Sequence, residues 1–263
     1  LCRRARLFHL GYPPLMRRLF ENDGQQLVEI YRRVKELGLT TSLDMALPDP
    51  QSEAGCVDWC RIFEKVLPYV DLFHPSAEEG LFMAQPDKWE RLHRQAGNAE
   101  LIDFLQAEDF SELAERFLQW GAGMVTLKSG HRGFYFRSSG RDRLSSLSAA
   151  TPASLEEWSS RELWMPAYKI SHIASATGAG DCSLAGFIAA FLYGQSPQRS
   201  IAAANALGYQ NLQALDATSG IQDWETTRRI MEDQSLPRVA PLEGKGWRFD
   251  AGASICHGPG DKQ

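Results

Sequence analysis

The run Thr177-Gly178-Ala179-Gly180-Asp181 sets small residues and one carboxylate at the head of an apolar stretch. That stretch, residues 182–192, reads as a buried helix with Gly194 as its stop. Residues 169–173 are predicted as a short strand or extended approach to it. Glycines at such a junction let the backbone come close to a ligand. The first N–H groups of the helix, with the helix dipole behind them, favour an anion. A carboxylate in the same turn is a poor phosphate ligand and a good proton acceptor. Asp181 therefore reads as a general base beside an anion hole, an arrangement suited to phosphoryl transfer onto a hydroxyl. The same residues also read as a tight connection and nothing more, with Asp in the first helical turn. Two other nucleotide motifs are excluded. A dinucleotide fingerprint needs a third glycine where Ser183 stands, and the only Lys-Ser pair, Lys128-Ser129, lacks the Gly-rich loop of a Walker A motif.

Taken together, residues 175–186 (Ser-Ala-Thr-Gly-Ala-Gly-Asp-Cys-Ser-Leu-Ala-Gly) resemble the C-terminal signature of the ribokinase-like (PfkB) carbohydrate kinases. Three stretches agree in order and spacing. Residues 39–44 (Leu-Thr-Thr-Ser-Leu-Asp) resemble the family strand that ends in Asp near the phosphates. Residues 70–79 (Val-Asp-Leu-Phe-His-Pro-Ser-Ala-Glu-Glu) resemble the strand and turn of its Asn-x-x-Glu motif. Residues 125–133 (Val-Thr-Leu-Lys-Ser-Gly-His-Arg-Gly) resemble its nucleotide-phosphate hairpin. The similarity runs from about residue 6 to about residue 230.

The resemblance implies an ATP-dependent kinase of a small hydroxylated substrate, a sugar or a nucleoside, with ATP as co-substrate and Mg2+ as cofactor. It implies Asp181 as catalytic base and Gly178, Ala179 and Gly180 as the anion hole. Lys128 and Gly130 would face the nucleotide phosphates. Thr177, Asn205, Ser219 and Gly220 fall where the family holds the nucleotide. Glu79 would act on Mg2+ through water, although Ser76 to Glu79 is also a capping box, with Ser at N-cap and Glu at N3. Asp44 reads equally as a metal-side or water-orienting carboxylate and as the end of a strand. The chain departs from the family at Ser76, where Asn is usual. It departs again at Ser175, where relatives that bind K+ carry Asp, so K+ activation is expected to be weak or absent. The rival reading is a non-catalytic nucleotide-binding or sugar-sensing protein that kept the fold. The resemblance also allows a homodimer.

These residues need elements to position them. Arg6–Leu10 reads as a strand, and Gly11-Tyr12-Pro13-Pro14 as a turn. Leu27, Ile30, Tyr31, Val34 and Leu37 recur at helical spacing, closed by Gly38. Further strands are predicted at 40–44, 70–73, 124–127 and 134–136. Helices are predicted around Trp59–Val66, 113–120, 201–208 and 224–231. Residues 138–163, rich in Ser and Arg, read as a surface excursion, and the tail from about 236 as irregular. Strand and helix alternate from residue 6 to 137, which argues for a parallel sheet with helices on both faces. With the resemblance, the expected class is α/β, a three-layer ribokinase-like fold in one domain over 1–263. The sites then belong at the C-terminal ends of the strands.

The bulk numbers fit this. The chain has 263 residues, 43% hydrophobic, enough for a sizeable core. A net charge of −5 gives no support to nucleic-acid binding through a basic surface. The five cysteines, Cys2, Cys56, Cys60, Cys182 and Cys256, form no paired metal spacing, and Cys56 and Cys60 read as one face of a helix start. The six histidines show no metal or triad spacing, and His172 reads as structural. Reduced thiols, no membrane span and no signal peptide lead to the expectation of a cytoplasmic enzyme. Because Leu1 lies so close to the first strand, the N-terminal strands and lid of the family are expected to be missing. On that expectation the chain alone binds acceptor poorly.

Overall fold

The computed structural model describes residues 4–262; Cys2 lies outside the described residues. These fall into two compact units, interleaved in sequence: 4–127 with 137–151, and 128–136 with 152–262.

The first unit is built of βαβ steps. β1 (Leu7–Leu10), β2 (Thr40–Leu43), β3 (Leu72–Phe73) and β4 (Met124–Lys128, its last residue in the second unit) pair side by side, every pair parallel. Parallel neighbours need crossovers. These are α1 (Arg17–Glu36), then α2 (Trp59–Val66), then the run of α3 (Ala77–Ala84), α4 (Pro86–Ala96) and α5 (Ala107–Gln119). α1 is broken near its start. Asn22, Asp23 and Gly24 take left-handed φ of 52, 53 and 70°, so the periodicity from Leu27 belongs to the segment after the break. β2 is wholly buried although it reads Thr-Thr-Ser-Leu. Its hydroxyls explain this. Thr41 Oγ1 donates to Tyr69 O at 2.6 Å, and Thr40 Oγ1 accepts from the Ala150 N–H at 2.9 Å. Between strands and helices sits an aromatic cluster in which Phe63, Phe73 and Phe117 meet edge to face. The buried Asp71 carboxylate is held by Lys35 Nζ at 2.8 Å, Arg143 Nη1 at 3.2 Å and the Thr41 N–H at 3.0 Å.

The second unit carries β5 (Gly133–Ser138, its last two residues in the first unit), β6 (Glu162–Pro166), β7 (Arg248–Asp250) and β8 (Ile255–His257), ordered β5-β6-β8-β7. β8 runs antiparallel to both β6 and β7. The long helices are α8 (Ala179–Leu192), α9 (Pro197–Asn211) and α10 (Trp224–Glu232). α8 and α9 pack very closely, because a Cβ on Gly186 would lie 2.5 Å from Ala203 O. Phe134, Phe136, Trp158, Phe187 and Phe191 fill the core.

Five local expectations need correction. Residues 169–173 form no strand, only bends, with a single bridge from Tyr168 to Arg238. Their backbone is committed elsewhere, the Lys169 N–H going to Pro237 O at 2.8 Å. The stretch 138–163 is not all surface. It contains α6 (Arg141–Leu144), α7 (Leu155–Trp158), a buried Trp158 and the start of the buried strand β6. The tail forms the β7–β8 hairpin, with Ile255 and Cys256 buried. Cys56 sits in the turn before α2 and Cys60 within it, so they do not share a helical face. His172 is exposed, which removes a core role for it.

Charged groups tie the hairpin to β6. Arg161 and Asp261, 2% and 1% exposed, pair at 2.6 Å, and His257 Nδ1 lies 2.5 Å from the same carboxylate. Glu162, also buried, accepts from Tyr135 Oη at 2.8 Å and from the Gly260 N–H at 2.6 Å. Burial of these charges is tolerable because each is paired or hydrogen-bonded. Among the described residues no helix is long and apolar enough to cross a membrane.

Candidate active site

Most of the candidate residues lie in the second unit, around the start of α8. Gly178 caps the helix with φ 80°, a left-handed conformation that L side chains resist. Space demands glycine as well: a Cβ there would sit 2.8 Å from Ala217 Cβ and 3.1 Å from Ala217 O. The first N–H groups of a helix have no partner in its own ladder. The ladder of α8 opens with the Cys182 N–H on Gly178 O at 2.9 Å. The Ala179 N–H turns back to Ala176 O at 3.2 Å, while Gly180 and Asp181, both exposed, complete the first turn. Ahead of it, Ser175 Oγ accepts from the Thr177 N–H at 3.2 Å, so the hydroxyl at this position shapes the turn.

Lys128, at the end of β4, brings its aliphatic stem to the same turn. A methyl group on Gly180 would lie 3.6 Å from Lys128 Cδ and 3.9 Å from Cε. A cation, a helix start and a carboxylate thus share one small region. After Lys128 the chain turns through Gly130–Arg132, with Gly130 exposed at φ 53°. Gly133, at φ 140°, closes the turn where a Cβ would strike Met165 O at 2.3 Å.

The third component is the loop 212–222 after α9. Asp216 accepts from the Thr218 and Ser219 N–H groups at 2.8 and 2.6 Å. Those bonds hold its carboxyl below the usual carboxylate range. Ser219 is exposed, and Gly220 packs so tightly that a Cβ would meet Gln210 O at 2.4 Å. Asn205 is 9% exposed, and its amide donates to Met165 O at 3.1 Å and Pro166 O at 3.2 Å. Its N–H groups therefore pin α9 to β6.

Glu79 and Asp44 belong to the first unit. Glu79 closes the capping box read from the sequence: its Oε2 accepts from the Ser76 N–H at 2.6 Å, and its N–H donates to Ser76 Oγ at 3.1 Å. Asp44 is 1% exposed at the end of β2, with Oδ1 accepting from the Met45 N–H at 2.8 Å. Among the described residues no group of three or more His, Cys, Asp or Glu side chains stands together as a metal cage.

Three residues at the site were not singled out from the sequence: Asn211, Cys182 and Ala217. Asn211 Nδ2 donates to Ala217 O at 2.8 Å and to Thr177 O at 3.3 Å, and Cys182 Sγ donates to Ala217 O at 3.2 Å. The available signal was a polar pair, Gln210-Asn211, closing a helix of small residues.

A family model described as pfkB family carbohydrate kinase matches residues 25–224. No curated protein matches the chain. Solved structures do. The chain is similar to the Arabidopsis thaliana ribokinase complexed with ribose and ATP, at 17% identity and TM-score 0.57, over 88% of this chain and 57% of that one. It is similar to the Xylella fastidiosa fructokinase with bound ATP, at 14% identity and TM-score 0.61, over 89% and 63%. It is similar to the Salmonella enterica aminoimidazole riboside kinase complexed with aminoimidazole riboside and an ATP analog, at 14% identity and TM-score 0.53, over 86% and 63%. At these identities the likeness shows the fold, which is ribokinase-like. The chain spans less than two thirds of each of these structures.

Proposed function

The chain belongs to the pfkB family of carbohydrate kinases, and from that premise we propose that it is an ATP-dependent phosphotransferase. Its acceptor is a hydroxyl of a small sugar or sugar-like substrate, nucleosides included. The observation that carries the reading is the start of α8. Gly178, at φ 80°, leads into a helix whose first turn exposes Gly180 and Asp181 beside the Lys128 stem.

In this reading Asp181 takes the proton of the acceptor hydroxyl, a weak nucleophile until that proton is shared. The backbone of Gly178, Ala179 and Gly180 supplies an anion hole for charge on the transferring group, with the helix dipole adding to it. Lys128 faces the phosphates as a cation, and Gly130 lets the hairpin backbone approach them. Thr177, Ser219 and Gly220 line the nucleotide side, and Asn205 holds α9 in place beneath it. Mg2+, when bound, neutralises phosphate charge and keeps most of its waters. Glu79 suits such a role, since a partly buried carboxylate that accepts the Ser76 N–H can also accept a hydrogen bond from a metal-bound water. Asp44 is the second carboxylate we assign there. We place the enzyme in the cytoplasm, with reduced thiols.

The test separates binding from chemistry. Nucleotide binding to the chain is measured by calorimetry with Mg2+ present, and acceptor-dependent ADP release is measured over a panel of sugars and nucleosides. Release specific to one acceptor class is expected, with a high acceptor KM, in keeping with the poor acceptor binding expected from the sequence. Tight nucleotide binding with no acceptor-dependent release from any of them would favour the sensor reading instead.

A further inference from the structure

α9 buries Ala202, Ala203, Ala204 and Ala206 with Ile201 and Leu207, and it ends in a polar residue, Asn211, that is fully buried. A buried amide costs free energy unless it is hydrogen-bonded. Asn211 spends both N–H groups on carbonyls of two different loops: Ala217 O at 2.8 Å and Thr177 O at 3.3 Å. Its Oδ1 is buried and has no hydrogen-bond partner among the described residues. Cys182, from the first turn of α8, adds a second donor to Ala217 O at 3.2 Å. The Ala174 N–H, on the approach to α8, is tied to Leu212 O at 2.9 Å. Ala217 in turn fills the space that Gly178 leaves open.

One carbonyl therefore receives two side-chain donors, at the point where loop 212–222 touches the entrance to α8. Thr177 and Gly178 stand on one side of that contact, and Ser219 and Gly220 on the other. We propose that Asn211, with Cys182 as its second anchor, is a positioning residue for nucleotide binding. By gripping Thr177 O and Ala217 O it fixes the spacing between the anion-hole entrance and the loop that faces the nucleotide. The assignment rests on the phosphotransferase reading and adds to it the residue that sets nucleotide affinity.

Three variants of the full chain test it: Asn211→Leu, close in size and without donors; Cys182→Ala; and the pair together. ADP with Mg2+ is titrated calorimetrically, and ATP and acceptor KM are separated from kcat. Loss of two neutral hydrogen bonds predicts about tenfold weaker ADP binding for Asn211→Leu and a matching rise in the ATP KM. The acceptor KM is expected to be unchanged and kcat to fall less than the ATP KM rises. Cys182→Ala is expected to weaken ADP binding a few-fold. The double variant should lose less than the product of the two, since both donors serve one carbonyl. A lower melting temperature with unchanged ADP affinity would make Asn211 a purely structural residue and overturn the assignment. If Asn211→Leu does not fold, unchanged ADP affinity in Cys182→Ala overturns it equally. The unsubstituted chain is titrated first, and its failure to bind ADP overturns the phosphotransferase reading and this assignment with it.

Discussion

Asp181 lies in the first turn of α8 and Ser175 six positions before it, and each supports a separate expectation. Asp181 is exposed at the third position of α8, where a carboxylate can reach an incoming hydroxyl. Asp181→Asn keeps the shape and removes the basicity. Turnover is expected to fall by about 10²–10⁴-fold, the usual worth of a general base, while nucleotide affinity stays within about twofold of the parent because a neutral amide leaves the backbone donors in place. A steady-state assay paired with calorimetry checks both halves. Normal turnover would remove Asp181 from the mechanism. At Ser175 the side chain already accepts the Thr177 N–H. A neutral hydroxyl used in this way is a poorer cation ligand than a carboxylate. Exchange of Na+ for K+ at equal ionic strength is expected to change the rate by less than about twofold, on the same argument. A large stimulation by K+ would show that carbonyl oxygens suffice to bind the ion here.

At the scale of elements, the close approach of α8 to α9 holds the candidate site in shape. Gly186 lies where a Cβ would come within 2.5 Å of Ala203 O and 2.9 Å of its carbonyl carbon, both backbone atoms with little freedom to move. Gly186→Ala should therefore cost about 1–3 kcal/mol, as overpacking does, and lower the thermal midpoint. An unchanged midpoint would mean that the helices separate without penalty. The contrast with Ala185→Gly, on the exposed side of the same helix, makes the measurement specific. Much of this element level was legible in the residues. The apolar run after Asp181 predicts α8 to within a turn, and Gly194 stops it with φ 73°. Ser76 and Glu79 predict the capping box that forms. β6 was hidden for a physical reason. It begins with a charged residue, Glu162, whose partners Tyr135 and Gly260 stand 27 and 98 residues away. Short-range patterns carry no trace of such partners, and the same holds for Asn211, whose meaning depends on two loops that approach from elsewhere in the chain.

For the molecule as a whole, the chain alternates between its two units, so each contains segments distant in sequence. In the second unit the buried Arg161–Asp261 pair closes the hairpin onto β6. Arg161→Ala leaves the Asp261 carboxylate in the interior with only His257 beside it, and is expected to destabilise the fold by about 3–5 kcal/mol. Urea denaturation followed by tryptophan fluorescence would measure this, and a loss below about 1 kcal/mol would place the pair at the level of a surface ion pair. The separation of this pair also bears on how the protein is made. Arg161 and Asp261 lie 100 residues apart. During translation Arg161 and Glu162, at the start of β6, leave the ribosome as charged side chains meant for a dry interior, long before Asp261 and Gly260 exist. The emerging chain must therefore wait, with that edge of its sheet open to strand-to-strand pairing with other molecules, until residues 255–261 arrive to cover it. A ribosome stalled between β6 and β8 would hold an aggregation-prone nascent chain, and a chaperone that shields exposed strand edges would be needed most in that interval.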